Sequence, residues 1–145
     1  MRDKIYYERM KSTGQQFQLT IPSSRKNINL VEKFFHTAND KFKLPEEKLH
    51  ALLVSVTEAV NNGIIHGNKN NESKYVTLTC SKKGKTLTVK VKDEGEGFIP
   101  EDVANPLHED NLLRTGGRGV FLMKAFMASV TYNKQGNEVT LVMKL

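Results

Sequence analysis

From Val76 to Val91 apolar and polar residues alternate: Val76, Leu78 and Cys80 are spaced by threonines, and beyond Gly84, Leu87, Val89 and Val91 are spaced by Thr88 and Lys90. A period of two with a turn at its centre predicts an antiparallel hairpin with one apolar and one wet face. Such a hairpin must be covered on its apolar side, and the rest of the chain offers helices to do it. Ile28, Val31, Phe34, Phe35 and Ala38 recur at helical spacing. Leu44-Pro45-Glu46-Glu47 opens a second, longer helix, with proline suited to the first turn and the acids at the positive end of the dipole. Its apolar stripe reads Leu49, Leu52, Leu53, Val56, Val60 and Ile64, and Gly67 with the polar run that follows marks its stop. Phe17, Leu19 and Ile21 predict a strand ending at Pro22-Ser23-Ser24, Val120 to Met127 a short helix, and Val139, Leu141, Met143 and Leu145 the last strand of a closing hairpin. The order strand, helix, helix, hairpin, irregular stretch, helix, hairpin defines the expected class as α+β: a two-layer sandwich with helices on one face of a mostly antiparallel sheet.

The 145 residues suit a single domain over 1–145, with residues 1–14 read as a flexible N-terminus. No apolar run approaches the roughly 20 residues that span a bilayer, and Met1-Arg2-Asp3-Lys4-Ile5-Tyr6-Tyr7 lacks a secretory apolar core, so no membrane contact and a cytoplasmic location are expected. A lone Cys80 at an apolar strand position reads as a buried small hydrophobe and not a nucleophile. The net charge of +6 comes from lysines scattered along the chain, apart from Lys82-Lys83-Gly84-Lys85 at the hairpin turn. No aromatic-interleaved basic stretch accompanies them, so the expectation is a solvated basic face or a site for an acidic protein partner, and no direct nucleic acid.

On the long helix Glu58 and Asn62 stand four residues apart, away from the apolar stripe, with Ala51, Ser55 and Ala59 near their side. An exposed Glu and Asn are most often merely solvated; small neighbours that let backbone approach a ligand, and the Asn61-Asn62 pair in a helix interior, favour a functional reading. A carboxylate and an amide oxygen at this spacing can handle a proton and a magnesium ion. Asp93 has the strand parity of Leu87, Val89 and Val91, so its carboxylate turns toward the apolar side and needs a donor: either a turn amide or an adenine amine. Gly95 and Gly97 in Asp93-Glu94-Gly95-Glu96-Gly97-Phe98 permit backbone to come close to a ligand. Thr115-Gly116-Gly117-Arg118-Gly119 feeds the helix starting near Val120 and suits an anion at a helix N-terminus, although a plain flexible loop is as common. It matches neither the P-loop nor the dinucleotide fingerprint.

Taken in order, Glu58-Ala59-Val60-Asn61-Asn62-Gly63-Ile64-Ile65-His66-Gly67, Asp93 to Phe98, and Gly116-Gly117-Arg118-Gly119-Val120-Phe121-Leu122-Met123 resemble the N, G1 and G2 boxes of the ATPase superfamily that contains gyrase, histidine kinases, heat-shock chaperones and mismatch-repair proteins. Within it, the run Ile64-Ile65-His66-Gly67-Asn68-Lys69 is similar to the anti-sigma factor serine kinases, over about residues 15–145. The resemblance implies the Bergerat ATP-binding fold, with ATP and Mg2+ as cofactors. It places Asn62 on magnesium, His66 in the nucleotide site, Asp93 on adenine, and Gly95, Gly97 and Phe98 around the pocket. Gly116, Gly117, Arg118, Gly119 and Val120 would cradle the phosphates, residues 98–115 would close as a lid, and Glu58 would be the general base. Thr115 departs from the glycine some members carry, and Arg114 has no secure counterpart. The implied activity is phosphorylation of a serine or threonine on a small anti-anti-sigma protein with a STAS domain, by a homodimeric kinase that also sequesters a sigma factor.

Three other readings compete. A module that uses ATP only to order its lid would have no need of Glu58. The ATP-binding part of a two-component sensor would want a dimerising hairpin with an acceptor histidine, and His36 and His50 read as isolated exposed residues instead. DNA binding is the most distant, and a salt titration of retention on DNA tests it.

Overall fold

A computed structural model describes residues 5–11, 14–96 and 123–145, with side chains from residue 16 onward. Gly97, Phe98, the lid over 98–115 with Arg114 and Thr115, and the glycine cluster Gly116 to Val120 lie outside the described residues. The elements are β1 (Ile5–Lys11), β2 (Gly14–Pro22), a short 3-10 turn (Arg25–Asn27), α1 (Ile28–Phe42), α2 (Glu46–Asn62), a π turn (Gly63–Gly67), β3 (Tyr75–Lys83), β4 (Thr86–Lys92), β5 (Ser129–Tyr132) and β6 (Glu138–Lys144). Residues 123–126 are helical, as their periodicity predicts.

The strands form one sheet in the order β1-β2-β3-β4-β6-β5, every neighbouring pair antiparallel. Alternation along each strand decides which face is dry. Phe17, Leu19 and Ile21 of β2, Val76, Leu78 and Cys80 of β3, Leu87, Val89 and Val91 of β4, and Val139, Leu141 and Met143 of β6 are all buried in one cluster with the helices. From α1 that cluster takes Val31, Phe34, Phe35, Ala38 and Phe42. Phe42 meets Phe17 edge to face at 5.3 Å, tying α1 to β2. The α+β sandwich expected from the patterning is therefore the observed one. Cys80 is fully buried, which pushes its thiol pKa far up and leaves it inert. His36 and His50 are exposed, His36 standing 3.8 Å from Glu32 one turn away.

Two features differ from the pattern reading. The expected first strand at Phe17 is preceded by β1, which pairs with β2 from Ile5 opposite Thr20 to Lys11 opposite Gly14, within the segment expected to be a flexible N-terminus. Backbone pairing on the edge of β2 defines this strand, and the Ile5–Lys11 sequence, with Tyr6 and Tyr7 adjacent and Glu8, Arg9 and Lys11 following, carries no clear two-residue apolar period to read. The buried face of α2 is also rotated from the apolar stripe: it runs through Leu52, Ser55, Val56, Ala59 and Val60, while Leu49 and Leu53 are only partly buried. The helix packs on α1, β4 and β6, and Ser55 and Ala59 are buried in that packing and not exposed beside Glu58 as the stripe suggested. Among the described residues the buried Ser55 hydroxyl has no hydrogen-bond partner.

Candidate functional site

The site begins where α2 stops being a regular helix. After Asn62 the chain makes a π turn closed by the Asn68 N–H donating to the Gly63 carbonyl at 2.8 Å, and the Asn70 N–H donates to the Ile64 carbonyl at 2.8 Å. Single π turns inside helices are rare and concentrate at functional sites. Ile64 is buried and anchors the turn in the core, while Gly63 and Gly67, four residues apart, both turn toward Asp93. One turn before Asn62, the half-buried Glu58 carboxyl has its pKa raised by burial, an effect partly opposed by the charge of the nearby His66. Glu58, Asn62 and His66 thus belong to one helix end.

Asp93 follows β4 with the parity the alternation predicts. Its N–H donates to the Asn137 carbonyl at 2.9 Å, which ties it to the β5–β6 connection, itself organised by Asn133 Oδ1 accepting from Gly136 and Asn137. Its Oδ1 accepts the Gly95 N–H at 2.8 Å, and no other described residue donates to the carboxylate. Burial raises the Asp93 pKa, opposed first by that Gly95 bond and then by the charge of Lys74. The surroundings are backbone: a Cβ on Gly67 would lie 2.6 Å from Asp93 Oδ1, and one on Gly63 would lie 3.5 Å from the Asp93 Cβ. Gly95 in turn sits on the Gly67 carbonyl. The first two of the three boxes therefore meet glycine to glycine around one desolvated carboxylate whose second oxygen has no donor among the described residues, an acceptor that suits a ligand amine. Glu58 and Asn62 add hard oxygen atoms of the kind magnesium takes when phosphates complete its shell. No group of three or more His, Cys, Asp or Glu able to hold a metal by itself occurs among the described residues.

Pattern alone does not single out Asn68. It lies in the polar run that marks the helix stop, yet it is 2% exposed and bonds to three segments of the chain. The signal available in sequence is slight: an amide-rich run in which Lys69 and Asn70 adopt positive φ of 54° and 59°.

A sandwich of this topology, with its helix end pressed on an aspartate-glycine loop beyond a central strand, has the form of an ATP-binding ATPase domain. The chain belongs to the histidine kinase-like ATPase domain family, whose pattern matches residues 21–143. It is 37% identical over 101 residues to the anti-sigma F factor of Clostridium kluyveri, covering 68% of this chain and 70% of that one. It is 26% identical over 141 residues to the serine-protein kinase RsbW of Staphylococcus epidermidis, covering 92% and 89%, and 25% identical over 130 residues to that of Oceanobacillus iheyensis, covering 86% and 82%. The resemblance drawn from the three boxes is borne out at the level of the family. No helix among the described residues is long and apolar enough to cross a membrane.

Proposed function

We propose that this chain is an ATP-dependent serine/threonine protein kinase that acts as an anti-sigma factor, phosphorylating a small STAS-domain antagonist and sequestering a sigma factor as a dimer. The observation that carries the reading is the desolvated Glu58 carboxylate one turn before Asn62, on the helix end that packs against Asp93. Relatives named as serine-protein kinase and as anti-sigma factor support it.

Bound Mg-ATP supplies the phosphoryl group and a cation that balances its charge. Asp93 accepts a hydrogen bond from the adenine amine through its second oxygen, to which no described residue donates, and the bare Cα atoms of Gly67 and Gly95 let the helix end and the loop after β4 close around that carboxylate. Asn62 would give its amide oxygen to the cation, and Gly117, Arg118 and Gly119 would hold the phosphates. Glu58 takes the proton of the incoming serine or threonine hydroxyl; the oxygen of that hydroxyl bonds to the γ-phosphorus as the bond to the β–γ bridging oxygen breaks and ADP leaves. The product carries an added charge of about −2, which weakens a packed interface by repulsion and desolvation and frees the kinase to bind sigma.

The deciding experiment is transfer of label from γ-labelled ATP to the STAS-domain partner. Acid-stable label supports a serine or threonine kinase; acid-labile label would indicate a histidine kinase, and no transfer a binding module. At the adenine end, Asp93→Asn should weaken ATP binding by about 1 to 3 kcal/mol in a folded protein, as when a buried hydrogen-bond partner is mismatched. Calorimetry showing parental affinity would return Asp93 to a purely structural role.

A further inference from the structure

We propose that Asn68 is the positioning residue for nucleotide-base selection: its side chain braces the Glu94–Gly95 backbone that aims the Asp93 carboxylate. This rests on the reading of Asp93 as the adenine acceptor. Asn68 Oδ1 accepts the Glu94 N–H at 2.8 Å, and its Nδ2 donates to Ser23 Oγ at 2.6 Å and to the Tyr75 carbonyl at 3.0 Å. Its own N–H closes the π turn on Gly63. One buried amide thus joins the end of β2, the start of β3, the end of α2 and the loop after β4.

The partners are held in turn. Ser23 Oγ donates to the Lys74 carbonyl at 2.8 Å, and the Ser23 N–H donates to the same oxygen at 3.0 Å. Glu94 closes the ring from the other side, its Oε2 accepting the Tyr75 N–H at 2.8 Å. The Asp93–Glu94 peptide is therefore held by Asn68 through its N–H, and Gly95, one residue on, rests against the Gly67 carbonyl. The next N–H along, that of Gly95, donates to Asp93 Oδ1, and Oδ2 has no donor among the described residues, so the placing of this loop decides which carboxylate oxygen faces a ligand. An amide is the one uncharged side chain that can accept from Glu94 while donating twice. Alanine would leave the Glu94 N–H, Ser23 Oγ and the Tyr75 carbonyl without it, and an aspartate would turn two donors into acceptors facing oxygen atoms.

If Asn68 acts through Asp93, its loss should change which base is bound and not merely how much protein is folded. The test measures ATP and GTP affinity by calorimetry for the parent, Asn68→Ala, Asp93→Asn and the double variant, each confirmed folded. The expected result is a fall of about tenfold in the ATP-to-GTP affinity ratio for Asn68→Ala, the size of one lost oriented hydrogen bond. In the Asp93→Asn background the same change should lower the ratio by less than about twofold, because the group being aimed is already altered. A lowered melting temperature with an unchanged ratio, or equal losses in both backgrounds, would overturn the proposal. Parental ATP affinity in Asp93→Asn alone would instead sink the adenine reading beneath it. Should Asn68→Ala not fold, Ser23→Ala, which removes only the hydroxyl that Nδ2 reaches, is read by the same ratio: a fall supports the brace and no change overturns it.

Discussion

Glu58→Gln should slow phosphate transfer to the partner by about 10² to 10⁴, the usual range for losing a general base, while leaving ATP and partner binding near parental values. Glutamine keeps the shape of the side chain and removes only its basicity. Burial raises the Glu58 pKa, with the charge of His66 opposing it, so the acid limb of the parent's transfer rate should lie above the ordinary carboxylate range. Activity is carried by the ionised form, falls as pH drops through that limb, and in Glu58→Gln the limb should be gone. Stability should move the other way. A carboxyl whose folded pKa is raised binds its proton more tightly in the folded than in the unfolded chain, so the stability due to protonation is present at low pH and lost as pH rises through the folded pKa. Glu58→Gln should therefore melt higher than the parent at neutral pH, with the gap closing in acid where Glu58 is itself neutral. Undiminished transfer in this variant would remove Glu58 from its assigned role, and a lower melting temperature at neutral pH would contradict the burial argument.

That trade between activity and stability also bears on which residues the amino-acid sequence makes legible. Asp93 stands out because a carboxylate falls on the apolar parity of β4, a conflict between pattern and chemistry, and its side chain is found turned inward among backbone. The core strands and α1 are legible for the opposite reason, since their periodicity agrees everywhere with their burial. The face of α2 is less legible. Counting large apolar residues favours Leu49 and Leu53, whereas tight packing against α1, β4 and β6 buries Ser55 and Ala59, and that packing is a property of the partner surfaces. The π turn is hidden because Gly63-Ile64-Ile65-His66-Gly67 continues the helical pattern in composition while shifting one hydrogen bond to an i→i+5 span. Asn68 is hidden because a polar residue after a helix looks solvated until its three partners, 45, 7 and 26 residues away, are brought to it.

Gly95→Ala should be the most damaging single methyl group for nucleotide binding, lowering ATP affinity at least about 100-fold, which corresponds to about 2.7 kcal/mol. A Cβ at this position would lie 2.6 Å from the Gly67 carbonyl carbon and 2.9 Å from its Cα, with the carbonyl oxygen nearer still. These are backbone atoms of a turn closed by the Asn68 N–H on Gly63, so no side chain can swing aside to make room. Either the π turn shifts and carries the end of α2 with it, or the loop lifts and takes the Gly95 N–H away from Asp93 Oδ1. Both routes spoil the aim of the carboxylate, which is why the effect should equal or exceed that of Asp93→Asn. Overpacking of this kind typically costs about 1 to 3 kcal/mol, so the variant should fold with a lowered melting temperature. Gly84→Ala is the matching control: Gly84 has φ of +61° and open space where a Cβ would sit, so alanine there strains the β3–β4 turn and lowers stability without touching the site. Calorimetry should find ATP affinity intact in Gly84→Ala and lost in Gly95→Ala at temperatures where both are folded. Parental ATP affinity in folded Gly95→Ala would show that the glycine contact between the two boxes does not shape the nucleotide site.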